Sequence, residues 1–175
     1  FEITLYQAVA KGKAMDFIVQ KAAELGVHRI VPVLSERSVP DWDETKAAAK
    51  VEKWRSICVE SIKQCGSAWL PSLELPMKPN DALVDTRQSD LSLIATLQPD
   101  AKHPREQIDA YATEHGRAPG KLAIWVGPEG DYTPAEINTI RTGALPITLG
   151  PLVLRSETAA IYCLAVLNYE LQACH

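Results

Sequence analysis

Residues 121–131 read KLAIWVGPEGD, a mainly apolar run followed at once by a glycine-rich turn. An apolar run of this length without polar alternation predicts a strand that is buried on both faces. Similar runs occupy residues 3–9, 28–34 and 91–97, a shorter one occupies 146–149, and segments with helical spacing separate them. This alternation predicts an α/β domain with a mostly parallel sheet of five or six strands and helices on both faces.

The helices between these strands are marked by apolar spacing and by residues typical of helix ends. Residues 14–25 carry apolar side chains at intervals of three, four and three residues, the pattern of one amphipathic face. Two further helices are predicted over Glu44–Cys65 and 104–115, and each is followed directly by a glycine. Thr133 is predicted to cap another helix, with Glu136 at the capping-box spacing.

The composition is that of an ordinary soluble globule. The 175 residues are 46% hydrophobic and 23% charged, which excludes disorder and collagen, and no apolar run reaches the length of a transmembrane helix. The net charge of -4 gives no support for nucleic-acid binding by bulk charge, although a local basic patch stays open. The cysteines at 58, 65, 163 and 174 form no CxxC pair and are interpreted as reduced thiols of a cytoplasmic protein. The scattered histidines predict no metal site.

Three loops are candidates for a ligand site, because ligands of open α/β sheets bind beyond the carboxyl ends of the strands. These loops follow Leu97, Val126 and Leu149. In the second loop Gly127 and Gly130 flank a Pro-Glu pair, and glycine permits close approach of the backbone to a ligand. A plain strand-to-helix turn is the alternative interpretation of this loop.

The third loop, LGPLVLRSETA at residues 149–159, combines apolar and charged residues at a predicted helix start. Ser156 is predicted to cap the closing helix, over residues 157–173, and Glu157 lies in the first turn of that helix. Arg155 has the planar fork that binds phosphate or carboxylate. The leucines of this loop either line a pocket for an aromatic ring or pack against the core.

Several other motifs of cofactor binding and catalysis do not occur. GRAPGK at residues 116–121 has one residue too few between its glycines for a phosphate-binding loop, and it precedes a strand instead of following one. The sequence contains no GxGxxG, GxSxG or HExxH segment, so it gives no support for a nicotinamide-dependent enzyme, a serine hydrolase or a zinc protease.

Four segments carry a resemblance that covers nearly the whole chain. They are KGKAMDFIVQKAAELGVHRIVPV at 11–33 with SERSV at 35–39, WRSICVESIKQCG at 54–66, GPEG at 127–130 with Glu136 beyond it, and LGPLVLRSETA at 149–159. GPEG alone is a weak signal, but its combination with LGxxxLRxETA is highly specific. In content and order these segments resemble the small-subunit ribosomal RNA uridine-N3 methyltransferases, of the SPOUT class of knotted methyltransferases.

The resemblance implies a C-terminal trefoil knot, S-adenosylmethionine bound in that knot as methyl donor, and a cytoplasmic homodimer that acts on 16S ribosomal RNA without a metal or a membrane. Residues 1–175 are expected to form one SPOUT domain, without the N-terminal RNA-binding barrel domain of the family. The family often has a glycine where this chain has Asp131. The residues that the resemblance assigns to cofactor binding are Leu97, Gly127, Gly130, Leu149, Gly150, Leu152 and Leu154.

The implied reaction methylates N3 of a uridine, which requires removal of the N3 proton or stabilisation of the uridine anion. Arg155 is the first candidate for holding the uridine or its phosphate and for stabilising negative charge. Either Glu157 or Glu129 could accept the proton or orient the arginine. Arg37 and Lys13 are expected, together with Arg155, to contact RNA.

Two other functions stay open at this point. Another SPOUT enzyme would methylate a ribose 2′-hydroxyl or a different base, and the LRxETA segment argues for the uridine-N3 enzyme instead. A non-catalytic dimer would bind the cofactor or ribosomal RNA without turnover.

Overall fold

The computed structural model of the protein describes residues 1–38 and 42–173, so that Val39, Cys174 and His175 of the sequence lie outside the described residues. The strands are β1 (Glu2–Ala8), β2 (Arg29–Val33), β3 (Ser72–Leu73), β4 (Leu91–Ala95), β5 (Lys121–Val126) and β6 (Leu145–Ile147). The helices are α1 (Ala14–Glu24), α2 (Glu44–Cys65), α3 (Pro79–Asp85), α4 (Pro104–His115), α5 (Pro134–Ile140) and α6 (Ser156–Ala173).

The strands form one sheet in the order β3-β2-β1-β5-β4-β6, and all pairs between neighbouring strands are parallel. The predicted α/β class and parallel sheet are confirmed. Strand β5, which begins at Lys121, lies between β1 and β4, with Leu5 paired to Ile124 and Tyr6 paired to Trp125. This central position explains why its sequence is apolar without interruption.

Helices cover both faces of the sheet, as predicted. The face that carries Leu5 and Ile124 packs against α1, α2, α4 and α6. The opposite face carries Tyr6 and Trp125, whose rings stack with centroids 4.6 Å apart, and packs against α3 and α5. Because both faces are covered, strand residues pointing either way are buried, and no polar alternation results.

Helix boundaries follow the local signals closely. Both α2 and α4 have the predicted bounds and are followed by Gly66 and Gly116, at φ +74° and +68°. Glycine adopts this left-handed conformation without strain. The predicted capping box of α5 is present: the Thr133 hydroxyl accepts from the N–H of Glu136, and the Glu136 carboxylate accepts from the N–H of Thr133.

The predicted cap at Ser156 is wrong. Helix α6 begins at Ser156 itself, and the carbonyl of Arg155 accepts a helical hydrogen bond from the N–H of Ala159 at 2.8 Å. The Ser156 hydroxyl is buried against the sheet and bonds to groups outside its own helix. A second difference is that β4 ends at Ala95, two residues earlier than predicted, which leaves Leu97 in the loop with 59% of its surface exposed.

Within residues 1–38 and 42–173, none of the helices has the length and apolar character that crossing a membrane requires.

Candidate functional site

The loops after β4, β5 and β6 enclose a cavity of about 260 Å³. These strands lie side by side in the order β5-β4-β6, so their carboxyl ends meet at one edge of the sheet, where ligands of such sheets bind. The volume is close to the lower end of the range of small-molecule sites, roughly 300–1,000 Å³. All seven residues that the sequence assigns to cofactor binding line this cavity: Leu97, Gly127, Gly130, Leu149, Gly150, Leu152 and Leu154.

The wall of the cavity is mainly apolar, with a small number of polar groups. Thr96 lines it, and its hydroxyl oxygen is buried without a hydrogen-bond partner in the described part of the chain. At Gly130 and Gly150, with φ +87° and +103°, an added Cβ would meet no atom within 4 Å, so both positions face open space. Apolar walls with a few polar groups suit a flat heteroaromatic ring with a polar edge.

The turn after β5 is held in shape by Asp131, which has a left-handed backbone at φ +66°. Its Oδ1 accepts a hydrogen bond from the N–H of Tyr132 at 2.8 Å. A Cβ at Gly127 would lie 2.9 Å from the same oxygen, so a side chain there would require the Asp131 carboxylate to shift. Burial raises the pKa of the Asp131 carboxyl above its usual value. The left-handed backbone explains why a glycine is also suited to position 131.

Ser156 joins three segments that are distant in sequence. Its hydroxyl donates to the carbonyl of Gly127 at 2.7 Å and accepts from Nε2 of Gln7 at 3.0 Å. Gln7 is fully buried, and its Oε1 has no partner within the described residues. Sequence reasoning missed Gln7, although a glutamine inside the apolar run of residues 3–9 is a signal that could have identified it.

The loop after β2 is attached to the rim of the cavity by two contacts. The Arg37 guanidinium donates to the carbonyl oxygens of Gly130 and of Asp131, the latter at 3.3 Å. The Glu136 carboxylate accepts from the N–H of Glu36 at 2.8 Å. Arg37, which the sequence predicts to contact RNA, is exposed and is also a neighbour of the cavity through these bonds.

A second cavity of about 420 Å³ adjoins the first at Arg37. Lys11 and Lys50 line it together with Arg37, and the ammonium of Lys50 lies 5.9 Å from the centre of the Trp42 ring. The predicted RNA contact Lys13 is exposed at the start of α1 and lines neither cavity.

The three residues predicted to take part in catalysis flank the first cavity without lining it. Arg155 is exposed between two lining residues, and its guanidinium has no hydrogen bond or ion pair within the described ranges. Glu129 is exposed in the turn after β5. Glu157 is half-buried, and its Oε2 is enclosed without a partner among the described residues. Among the described residues, no cluster of three or more histidine, cysteine or acidic side chains could hold a metal.

Comparison with known proteins identifies a family that matches this chain. Residues 1–168 match the family described as RNA methyltransferase domain. Ribosomal RNA small subunit methyltransferase E of Mesomycoplasma hyopneumoniae is 31% identical over 164 residues, which cover 93% of this chain and 67% of the relative. The chain spans about two thirds of the length of the curated relatives that it matches.

Two solved structures are similar over almost the whole chain. A putative methyltransferase of Legionella pneumophila, in complex with the cofactor SAM, is 35% identical with a TM-score of 0.86, covering 97% of this chain and 66% of the other. Ribosomal RNA small subunit methyltransferase E of Neisseria gonorrhoeae, bound to S-adenosyl methionine, is 30% identical with a TM-score of 0.81 and the same coverage.

Proposed function

Because the chain belongs to the RNA methyltransferase family, we propose that it transfers a methyl group from S-adenosylmethionine to N3 of a uridine in small-subunit (16S) ribosomal RNA. The observation that carries the proposal is that all seven residues assigned to the cofactor by the resemblance line one cavity at the ends of β5, β4 and β6. Relatives named for small-subunit ribosomal RNA methylation support the substrate.

The residues of the cavity suit the proposed cofactor. The leucines at 97, 149, 152 and 154 supply apolar surface for the adenine ring, and the unpaired hydroxyl of Thr96 can bond to a polar edge of the ligand. The open space at Gly130 and Gly150 allows the backbone to approach the ligand closely. When bound, S-adenosylmethionine supplies a methyl group on a positively charged sulfur that needs no further activation.

Charged residues beside the cavity provide what the uridine needs. The N3 atom becomes nucleophilic only when its proton leaves, so a base and a positive charge near the uridine both favour reaction. Arg155 would bind the uridine and stabilise its negative charge; the support for this role is that its guanidinium is exposed and has no partner among the described residues. Glu157, whose Oε2 is enclosed without a partner among the described residues, and Glu129, which is exposed in the turn after β5, are the candidates to accept the proton or to orient Arg155.

The RNA would approach across the second cavity, where the three cationic side chains of Lys11, Arg37 and Lys50 outnumber the two carboxylates of Asp16 and Glu36. Contacts of this kind position the nucleic acid through its phosphates. Arg37 would link RNA binding at the second cavity to cofactor binding at the first, since it also bonds to the turn of the first cavity. Lys13 would contact RNA from the exposed start of α1.

The proposal includes a C-terminal trefoil knot in a single SPOUT domain. Its support is that residues 149–154 share a cavity with the turn after β5, and that Ser156 bonds to Gly127. A crystal structure in which the path of residues 149–173 reduces to an unknotted line would contradict the knot.

The proposal also includes a cytoplasmic homodimer. Its support is the exposure of Leu152 and Val153 on the cavity loop, at 72% and 80%, and of Tyr162 on α6 at 47%, because apolar side chains exposed together mark interaction surfaces. Sedimentation of a monomer at micromolar concentration would contradict the dimer.

Calorimetric titration with S-adenosylmethionine, followed by methyl transfer to small-subunit ribosomal RNA, tests the activity. We expect one site per chain and a reverse-transcription stop at the product uridine, since an N3 methyl group blocks base pairing. Arg155→Ala should bind the cofactor normally and lose most methyl transfer, while the matched control Arg87→Ala should retain it. Absence of cofactor binding would overturn the function, and full activity of Arg155→Ala would overturn the role of Arg155.

A further inference from the structure

Asp131 is the single ionisable side chain among the residues that line the first cavity in the described part of the chain. The remaining lining residues are apolar, glycine, proline, threonine or serine. Asp131 is therefore the one residue of the described wall whose side chain can carry a charge, and that charge is negative.

The carboxylate of Asp131 is held in place. Its Oδ1 bonds to the N–H of Tyr132 at 2.8 Å and lies against Gly127, where a Cβ would be only 2.9 Å away. The Arg37 guanidinium also donates hydrogen bonds to the carbonyls of Gly130 and Asp131, which restrain the backbone of this turn, where φ of Asp131 is +66°. A charge held in this way loses little freedom when a ligand binds, so its attraction acts on the ligand without a cost of reorganisation.

Two features decide how strongly this charge acts. The apolar wall keeps the local dielectric low, which strengthens the interaction of the carboxylate with a cation. The Arg37 guanidinium opposes it, but that group is exposed and bonds to backbone carbonyls rather than to the Asp131 carboxylate. The burial that raises the pKa of Asp131 also means that a cation in the cavity would restore part of the solvation that the carboxylate has lost.

We infer that Asp131 makes the cavity selective for the positively charged sulfonium of S-adenosylmethionine over the neutral thioether of S-adenosylhomocysteine, the product of methyl transfer. The two molecules carry the same adenosine and the same amino-acid charges, and they differ by the methyl group and one positive charge. The selectivity favours release of the product after each turnover. This inference rests on the proposed function.

Calorimetric titration of the whole chain with three ligands tests it. S-adenosylmethionine and S-adenosylhomocysteine are compared with sinefungin, in which an amine supplies the positive charge and no sulfonium is present. The variants are Asp131→Asn, which keeps the shape of the side chain and tolerates the left-handed backbone, Asp131→Gly, which removes the side chain, and Asp81→Asn as a matched control on the exposed surface of α3.

We expect Asp131→Asn and Asp131→Gly to weaken the binding of S-adenosylmethionine and of sinefungin about tenfold, equivalent to about 1.4 kcal/mol. The affinity for S-adenosylhomocysteine should change by less than about twofold. Asp81→Asn should change none of them. The inference is overturned, while the proposed function stands, if the variants lose affinity equally for all three ligands. It is also overturned if the ratio of S-adenosylmethionine affinity to S-adenosylhomocysteine affinity does not change. Failure of the unaltered chain to bind either cofactor form overturns both. Thermal unfolding of each variant separates loss of binding from loss of fold.

Discussion

Replacement of Ser156 by alanine should destabilise the protein by breaking contacts between distant segments and not by removing a helix cap. The ordinary role of such a serine is to cap the helix, and that was the prediction from sequence. In the structure the hydroxyl instead donates to the carbonyl of Gly127 and accepts from the amide of Gln7, and Ser156 itself is only 3% exposed. The substitution therefore removes the connection between α6, the turn after β5 and the central strand β1.

The expected cost follows from the groups that lose their partner. Leaving a buried donor or acceptor unpaired costs about 1–3 kcal/mol. The carbonyl of Gly127 loses the hydroxyl as a donor, while Nε2 of Gln7 retains its bond to the carbonyl of Ala8. We therefore expect the free energy of unfolding to fall by about 1–3 kcal/mol, which for a chain of this size lowers Tm by roughly 2–12 °C.

Urea unfolding followed by circular dichroism measures this change, and Thr158→Ala is the matched control because Thr158 is exposed in the same turn of α6. A second variant separates the two roles. Aspartate caps helices as well as serine does, so Ser156→Asp would be harmless if Ser156 were a cap. A carboxylate cannot donate to the Gly127 carbonyl, so we expect Ser156→Asp to be less stable than Ser156→Ala. A stable Ser156→Asp, or a loss in Ser156→Ala no larger than in Thr158→Ala, would refute the reasoning.

Three further outcomes are expected. Gly150→Val places a β-branched residue at φ +103° on the cavity wall, so calorimetry should show at least about tenfold weaker S-adenosylmethionine binding with an unchanged circular dichroism spectrum. Asp90 accepts hydrogen bonds from Arg117 and two backbone amides, which lower its pKa to about 2. The stability that it contributes is therefore present above the ordinary aspartate pKa of about 3.9 and lost as the pH falls towards 2, and urea midpoints of wild type and Asp90→Asn should converge there. Thr133→Ala removes the cap of α5 and should cost about 1 kcal/mol in urea unfolding, whereas the same loss in Thr142→Ala would contradict the capping role.

The elements that sequence predicted well are those whose signals are local. The run from Lys121 to Val126 was predicted as a buried strand and has those bounds, because an apolar run between glycines has few alternatives. The ends of α2 and α4 at Gly66 and Gly116 depend on the conformation of one residue, which glycine alone adopts without strain. The family identified from the motifs is confirmed by the match of residues 1–168.

Two residues have contacts with distant parts of the chain that the sequence did not predict. Ser156 was predicted to cap its own helix, but its hydroxyl bonds to Gln7, which lies 149 positions away. Arg37 was predicted to contact RNA, and the structure adds that it holds the turn at Gly130, which lies 93 positions away. No local pattern reports either partner.

The amino-acid sequence by itself determined the α/β class and most helix and strand boundaries, because these depend on burial patterns and backbone preferences that act over a few residues. Its motifs also carried the resemblance that identified the family and from which the cofactor residues are proposed. Only the tertiary structure decided that the seven assigned residues line one cavity, that Asp131 is its single ionisable lining residue among those described, and that Ser156 joins three segments. The physical reason is that hydrogen bonds and charges act on whatever the folded chain brings within a few ångströms, and parallel strand order brings together residues that are far apart in sequence.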